Sequence, residues 1–162
     1  MRTNNGKVKN VIISLYFILT VLAIIMTTLI SSFSEITESP AVKILIILLV
    51  FAVLFIITHK VSKYFEYDSD GMQVVVINRG MLLSEYLNYR EHILEFEKEN
   101  LISFKFRNYY FYKSLTLTIK DKYGHKRNET FNVTLVSRKK RRYIRQSLGK
   151  LVKLNKKLKE NS

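Results

Sequence analysis

The 162-residue chain has no cysteine, one proline, five glycines and three histidines. Without cysteine there is no disulfide framework, no thiolate nucleophile and no zinc site of the cysteine type. The glycines at 6, 71, 80, 124 and 149 stand alone, so no glycine-rich loop cradles a phosphate. His59, His92 and His125 are each more than thirty residues apart and have no ligand partner at metal-binding spacing. Acidic residues are few, 13 against 27 Lys and Arg. The densest acidic group is Glu91, Glu95, Glu97 and Glu99. On a strand the last three share one face, where a carboxylate pair could do acid–base work or hold a cation. No third catalytic group accompanies them, and a solvated face matched to Arg90 and Lys98 is the expected reading. The expectation is a non-catalytic protein with no cofactor and no metal.

What the chain does have is apolar length. Residues 11–30 (VIISLYFILTVLAIIMTTLI) carry no charge. At about 1.5 Å per residue they make a helix of roughly 30 Å, the thickness of a bilayer core. The hydroxyls of Ser14, Thr20, Thr27 and Thr28 can bond back to their own helix carbonyls and so cost little in lipid. Residues 41–58 (AVKILIILLVFAVLFIIT) are nearly as apolar, with Lys43 in the first turn, where its stem can lie along lipid while the ammonium reaches the interface. The first block is longer than a secretory signal core, and no small-x-small cleavage site follows it in SSFSEITES. Too few residues remain to cover both blocks in a water-soluble core. Ser39-Pro40 is a helix start, an N-cap hydroxyl followed by a ring suited to the first helical position. The ten-residue link 31–40 holds Glu35 and Glu38 and no Lys or Arg, whereas Arg2, Lys7, Lys9, Lys60 and Lys63 flank the other ends. Because basic residues stay cytoplasmic, an antiparallel hairpin with both termini in the cytosol is expected. Residues 1–10 are then a cytosolic leader and 11–58 the hairpin.

From residue 59 the spacing switches to period two. Strands are expected over 64–69 and 73–78 around the turn Asp70-Gly71, with further extended segments over 83–91 and 93–96. Ile102, Phe104 and Phe106 alternate with polar residues, as do Leu115, Leu117 and Ile119. Past the turn 121–124, Phe131, Val133 and Leu135 alternate again, completing a hairpin. Ser137 can cap a helix over about 137–159, whose Ile144, Leu148, Leu151, Val152, Leu154 and Leu158 fall within one arc at about 100° per residue. The basic side chains fall on the other arc.

A strand ending in Tyr67-Asp68-Ser69-Asp70-Gly71, a run of antiparallel strands, a late hairpin and a closing amphipathic helix resemble the bacterial pleckstrin-homology-like (PH-like) domain. The resemblance covers about residues 59–155 and rests on element order. It implies a seven-stranded bent barrel plugged by a C-terminal helix, acting as a cytosolic binding or oligomerising module behind membrane spans. Eukaryotic relatives bind phosphoinositides through basic residues in the first strand pair. Here that turn carries Asp68 and Asp70, so that activity is not carried over. The expected fold class is a membrane α-helical hairpin plus an α+β unit: two transmembrane helices, then a small antiparallel PH-like β-barrel or sheet over 59–162, closed by the C-terminal helix.

Two features stand out as contact surfaces. Of the net charge of +14, residues 138–162 supply +10, beginning with the cluster Arg138, Lys139, Lys140, Arg141 and Arg142 and continuing with Arg145. Beneath a cytosolic leaflet such a helix meets an anionic surface, each adjacent basic residue contributing about 1 kcal/mol. Nothing resembles a nucleic-acid recognition motif. The second feature is Tyr109, Tyr110, Phe111 and Tyr112, four aromatics in a row that cannot all enter one core from a strand. The plain expectation puts two inside and two capping a sheet edge; otherwise they line an interface, dock at headgroup level or stack on a base. The expected protein lies in a bacterial inner membrane and scaffolds contacts with lipid headgroups, an acidic protein or a second copy of itself. The alternative is an accessory subunit of a membrane transport or secretion complex.

Overall fold

The computed structural model describes residues 1–29, 39–82, 91–121 and 123–160. These divide into two compact units, Val8–Lys60 on one hand and Met1–Lys7 with the chain from Val61 onward on the other.

The first unit holds α1 (Lys9–Thr28) and α2 (Pro40–Val61). Both helices are long and apolar enough to cross a membrane. Almost none of either apolar stretch is buried within the described residues, with Phe17 and Leu45 70% and 63% exposed. The threonine hydroxyls bond back to their own helix as their positions in the sequence suggest. Thr20 Oγ1 donates to the Tyr16 carbonyl at 2.9 Å, Thr27 to Ile24 at 2.8 Å and Thr28 to Ile25 at 2.8 Å. α2 begins at Pro40, where the missing N–H is no loss, and Lys43 N donates to the Ser39 carbonyl at 3.3 Å. The rings of Tyr16 and Phe55 stack with centroids 5.7 Å apart. The expected link 31–40 lies, but for its last two residues, outside the described part of the chain.

The second unit is built from two antiparallel sheets and a helix. β1 (Arg2–Asn4), β2 (Lys63–Asp68), β3 (Gln73–Gly80) and β4 (His92–Glu97) form the first sheet in that order. β5 (Leu101–Asn108), β6 (Lys113–Lys120) and β7 (Lys126–Asn132) form the second, and α3 (Arg138–Glu160) follows. Among the described residues no closed barrel is found, which corrects the barrel expected from the resemblance. The expected strand over 83–91 falls, apart from Glu91, on residues outside the description.

β3, β4 and β6 bury alternate side chains, and the two sheets share one interior. Phe65 and Tyr67 of β2, Val74 and Val76 of β3, and Leu115 and Leu117 of β6 are fully buried, as are Ile144 and Leu148 of α3. In β5 the register shifts: Leu101 faces Ile119 but Ser103 faces Thr118, leaving Ile102 as the extra residue of a bulge. Leu101 therefore takes a core position while Phe104 and Phe106, past the bulge, also pack against the core. β7 ends at Asn132, so Val133 and Leu135, which the alternation places in the strand, lie beyond it. Gly124 turns the β6–β7 hairpin at φ 83°, a conformation that a side chain disfavours.

Polar groups tie the two sheets together. Asn78 of β3 donates Nδ2 to the Asn132 carbonyl at 3.1 Å and accepts from Asn132 N at 3.2 Å. His92 of β4 stacks on Phe131 at 4.7 Å and sets Nε2 2.8 Å from Glu129 Oε2. Its surroundings are those of a structural histidine.

β1 is the strand that the sequence pattern does not announce. Its register, Arg2 opposite Asp68 and Asn4 opposite Glu66, puts residues from before α1 beside residues from after α2. Buried Asn5 extends the pairing. Its Oδ1 accepts from Phe65 N and its Nδ2 donates to the Lys63 carbonyl, both at 2.9 Å. Glu66 accepts from Arg2 Nε at 2.7 Å and from the Tyr64 hydroxyl at 2.6 Å.

On α3 the buried stripe is Ile144, Leu148 and Asn155, with Leu151 and Val152 partly covered. Leu154 and Leu158, expected inside, are 57% and 59% exposed. Leu154 sits one step, about 100°, from the stripe that ends on Asn155. Asn155 Nδ2 reaches the carbonyls of Lys98, Glu99 and Leu101 at 2.8, 3.2 and 2.9 Å. It thereby fastens the helix to the 3-10 turn Lys98–Asn100 between the sheets.

Candidate functional site

α3 starts where Ser137 caps it: its Oγ accepts from Lys140 N at 3.4 Å and its carbonyl from Arg141 N at 3.0 Å. The first two turns carry no acidic residue, although a helix N-terminus is the end that favours negative charge. Arg138, Arg141, Arg142 and Arg145 are spaced i, i+3, i+4 and i+7, so they share one face. That face flanks the buried stripe and meets the end of β5. There the four arginines, with Phe106, Asn108 and Gln146, line an open pocket of about 620 Å³.

The arginines are held differently. The Arg145 guanidinium lies 5.1 Å from the centre of the Phe106 ring, a cation–π contact that fixes it over β5. Arg141 is half-buried, and its Nη1 is enclosed without a hydrogen-bond partner among the described residues. Burial, and after it the charges of Arg138 and Arg145, lower its pKa from the usual arginine value. Arg138 and Arg142 are exposed at the rim. Crowded cations with an unsatisfied donor at a helix N-terminus make a site whose electrostatics call for an anion.

The structure brings together only part of the predicted basic cluster. Lys139 is exposed and does not line the pocket. Lys140 turns toward the first sheet and donates Nζ to the Asn4 carbonyl at 2.5 Å, so it anchors β1. Phe106, Asn108 and Gln146 were not among the predicted site residues. The helical spacing of the arginines carried a signal, but nothing in the sequence indicated which strand end they face.

Asn108, on the pocket wall, immediately precedes the aromatic row. The row forms the β5–β6 turn, closed by Tyr109 N donating to the Tyr112 carbonyl at 2.8 Å. Tyr109, Tyr110, Phe111 and Tyr112 are 55%, 101%, 81% and 37% exposed. The expectation that two of them enter the core is corrected: a tight turn at a sheet end points its side chains away from the interior. An aromatic tip thus follows directly on a strand end that lines the arginine pocket.

The acidic group does not assemble. β4 ends at Glu97, and Glu99 belongs to the 3-10 turn, so the three carboxylates do not share one strand face, and all three are exposed, in line with the expected solvated face. Glu91 pairs with Arg79 at 2.8 Å. Among the described residues no three His, Asp or Glu side chains lie close enough to hold a metal ion. Comparison with family models, curated proteins and solved structures gives no match to this chain.

Proposed function

We propose that α1 and α2 cross a bacterial inner membrane as a hairpin and hold the β-unit against the cytosolic leaflet. There it works as a non-catalytic, PH-like binding or scaffolding module for anionic lipid headgroups or an acidic protein. The observation that carries this reading is the pairing of β1 with β2. These strands precede and follow the apolar helices, so a chain that crosses a bilayer between them must return to its starting side. The two exposed apolar helices and the basic residues at their outer ends agree with that path and with a cytosolic module. The succession of a four-stranded sheet, a three-stranded sheet and a closing helix supports the PH-like reading.

The absence of cysteine gives a direct test. The full chain should stay in the membrane fraction after alkaline carbonate extraction. Glu35→Cys should react with a membrane-impermeant maleimide on intact spheroplasts, and Tyr110→Cys only after permeabilisation. Release by carbonate, or labelling of both positions from one side, would sink the reading. A stoichiometric membrane partner on purification in mild detergent would favour the accessory-subunit role.

A further inference from the structure

We infer that the pocket between the start of α3 and the end of β5 is a discrete receptor for a phosphoryl group, with Arg141 at its floor and Arg138, Arg142 and Arg145 around it. This deepens the reading of the basic helix as a contact surface by assigning that role to four arginines of one face, and it does not depend on insertion of α1 and α2.

Three observations converge. The arginines at i, i+3, i+4 and i+7 line an open pocket of about 620 Å³, room enough for a headgroup-sized anion. Lysine predominates along the rest of the helix, at 150, 153, 156, 157 and 159, whereas every cation lining the pocket is arginine. The planar guanidinium offers paired donors that match two oxygens of a phosphate, which an ammonium cannot do. Finally, the site is preformed and strained in charge. Phe106 holds Arg145 in place, Arg141 keeps a buried donor without a partner among the described residues, and the helix N-terminus adds its own positive end. A phosphoryl dianion satisfies all of these at once. Its oxygens accept from the guanidinium groups, with Asn108 and Gln146 as further polar partners on the wall.

The phosphoryl group could be that of a phospholipid with a phosphomonoester headgroup or of a free phosphate. The test uses the full chain in neutral maltoside micelles, titrated calorimetrically with inorganic phosphate, with short-chain phosphatidate and with polyglutamate. Saturable binding of one equivalent of either phosphate probe is expected. The R138Q/R142Q pair should weaken it at least about tenfold. K156Q/K157Q, which removes the same charge from exposed positions on the same helix, should change it by less than about twofold, because those charges lie roughly 16 Å or more along the helix from the pocket arginines, well beyond a Debye length of about 8 Å. R141K, which keeps the charge and loses the fork, should also weaken binding. Tighter binding of phosphatidate than of inorganic phosphate identifies the lipid source, and equal binding the free one. No saturable phosphate binding, equal losses from the two double variants, or tighter binding of polyglutamate would overturn the inference. Because the titrations are made in micelles, none of these results bears on the membrane topology.

Discussion

At the scale of single residues, Asn155 shows how much one polar side chain can hold. It occupies a core position of α3 and offers its amide N–H groups to three backbone carbonyls. Asn155→Ala should destabilise the β-unit by about 2 kcal/mol, since it strands buried acceptors. Asn155→Asp should cost more, because a carboxylate would face three carbonyl oxygens. Denaturant unfolding in detergent, followed by near-ultraviolet circular dichroism of the tyrosines, measures both; an Asp variant as stable as wild type would contradict the geometry. Nothing in the sequence marked this residue, because hydrophobic periodicity counts apolar side chains and Asn155 fills an apolar slot. The apolar spans and the basic cluster were legible for the opposite reason, that their signal is local and repeated.

The Tyr64–Glu66–Arg2 group carries a pH dependence of known sign. Burial alone would raise the Glu66 pKa, but the hydrogen bonds from Tyr64 and Arg2 outweigh it and hold the carboxyl below its usual range. The stability this contributes is present above the unfolded value of about 4.3 and lost as pH falls through the folded one. Tyr64 is pushed up to about 12, by burial first and then by its bond to Glu66. Its contribution is present below about pH 10 and is lost as pH rises toward 12. Glu66→Gln should flatten the acid limb of the unfolding midpoint against pH, and Tyr64→Phe the alkaline limb. Burial also raises the Tyr67 pKa, so tyrosinate absorbance should show late-titrating groups in the wild type, of which Tyr64→Phe removes one and leaves that of Tyr67.

At the scale of elements, α3 separates what amphipathicity predicts from what packing selects. The sequence ranks Leu148 and Leu154 alike, yet the first is fully buried and the second is mostly exposed. Leu148→Ala should cost about 2–5 kcal/mol and Leu154→Ala no more than about 0.5 kcal/mol, by the same unfolding measurement. Equal losses would place the stripe elsewhere on the helix. A 3.6-residue period fixes the hand and width of an apolar arc but leaves its centre open, and here the sheet chose the side containing Ile144, Leu148 and Asn155. The β-bulge after Leu101 is a similar case. Alternation in β5 was readable, and the one-residue slip that lets Leu101 share the core with Phe104 and Phe106 was not.

At the scale of the whole molecule, the β-unit is assembled from two stretches separated in sequence by both apolar helices. A three-residue strand of Arg, Thr and Asn has no pattern to read, and its partners lie about sixty residues away. Asn5→Ala removes the side chain that pairs with Phe65 N and the Lys63 carbonyl, and should destabilise the β-unit by about 1–3 kcal/mol while leaving membrane retention unchanged. Carbonate extraction and denaturant unfolding of the same variant separate the two effects. A loss of retention together with stability would mean that the helices and the sheet do not fold as separate units.

The position of β1 also sets an order of events during synthesis. Its three residues are made well before Lys63–Asp68, and the edge they complete does not exist until that later strand has been made. With the hairpin inserted as proposed, a chain that threads only one helix leaves this strand and its partner on opposite sides of the bilayer. The sheet then keeps a bare edge, open to proteolysis or to pairing with another chain. Completion of the sheet would in this way act as a built-in proofreading of insertion.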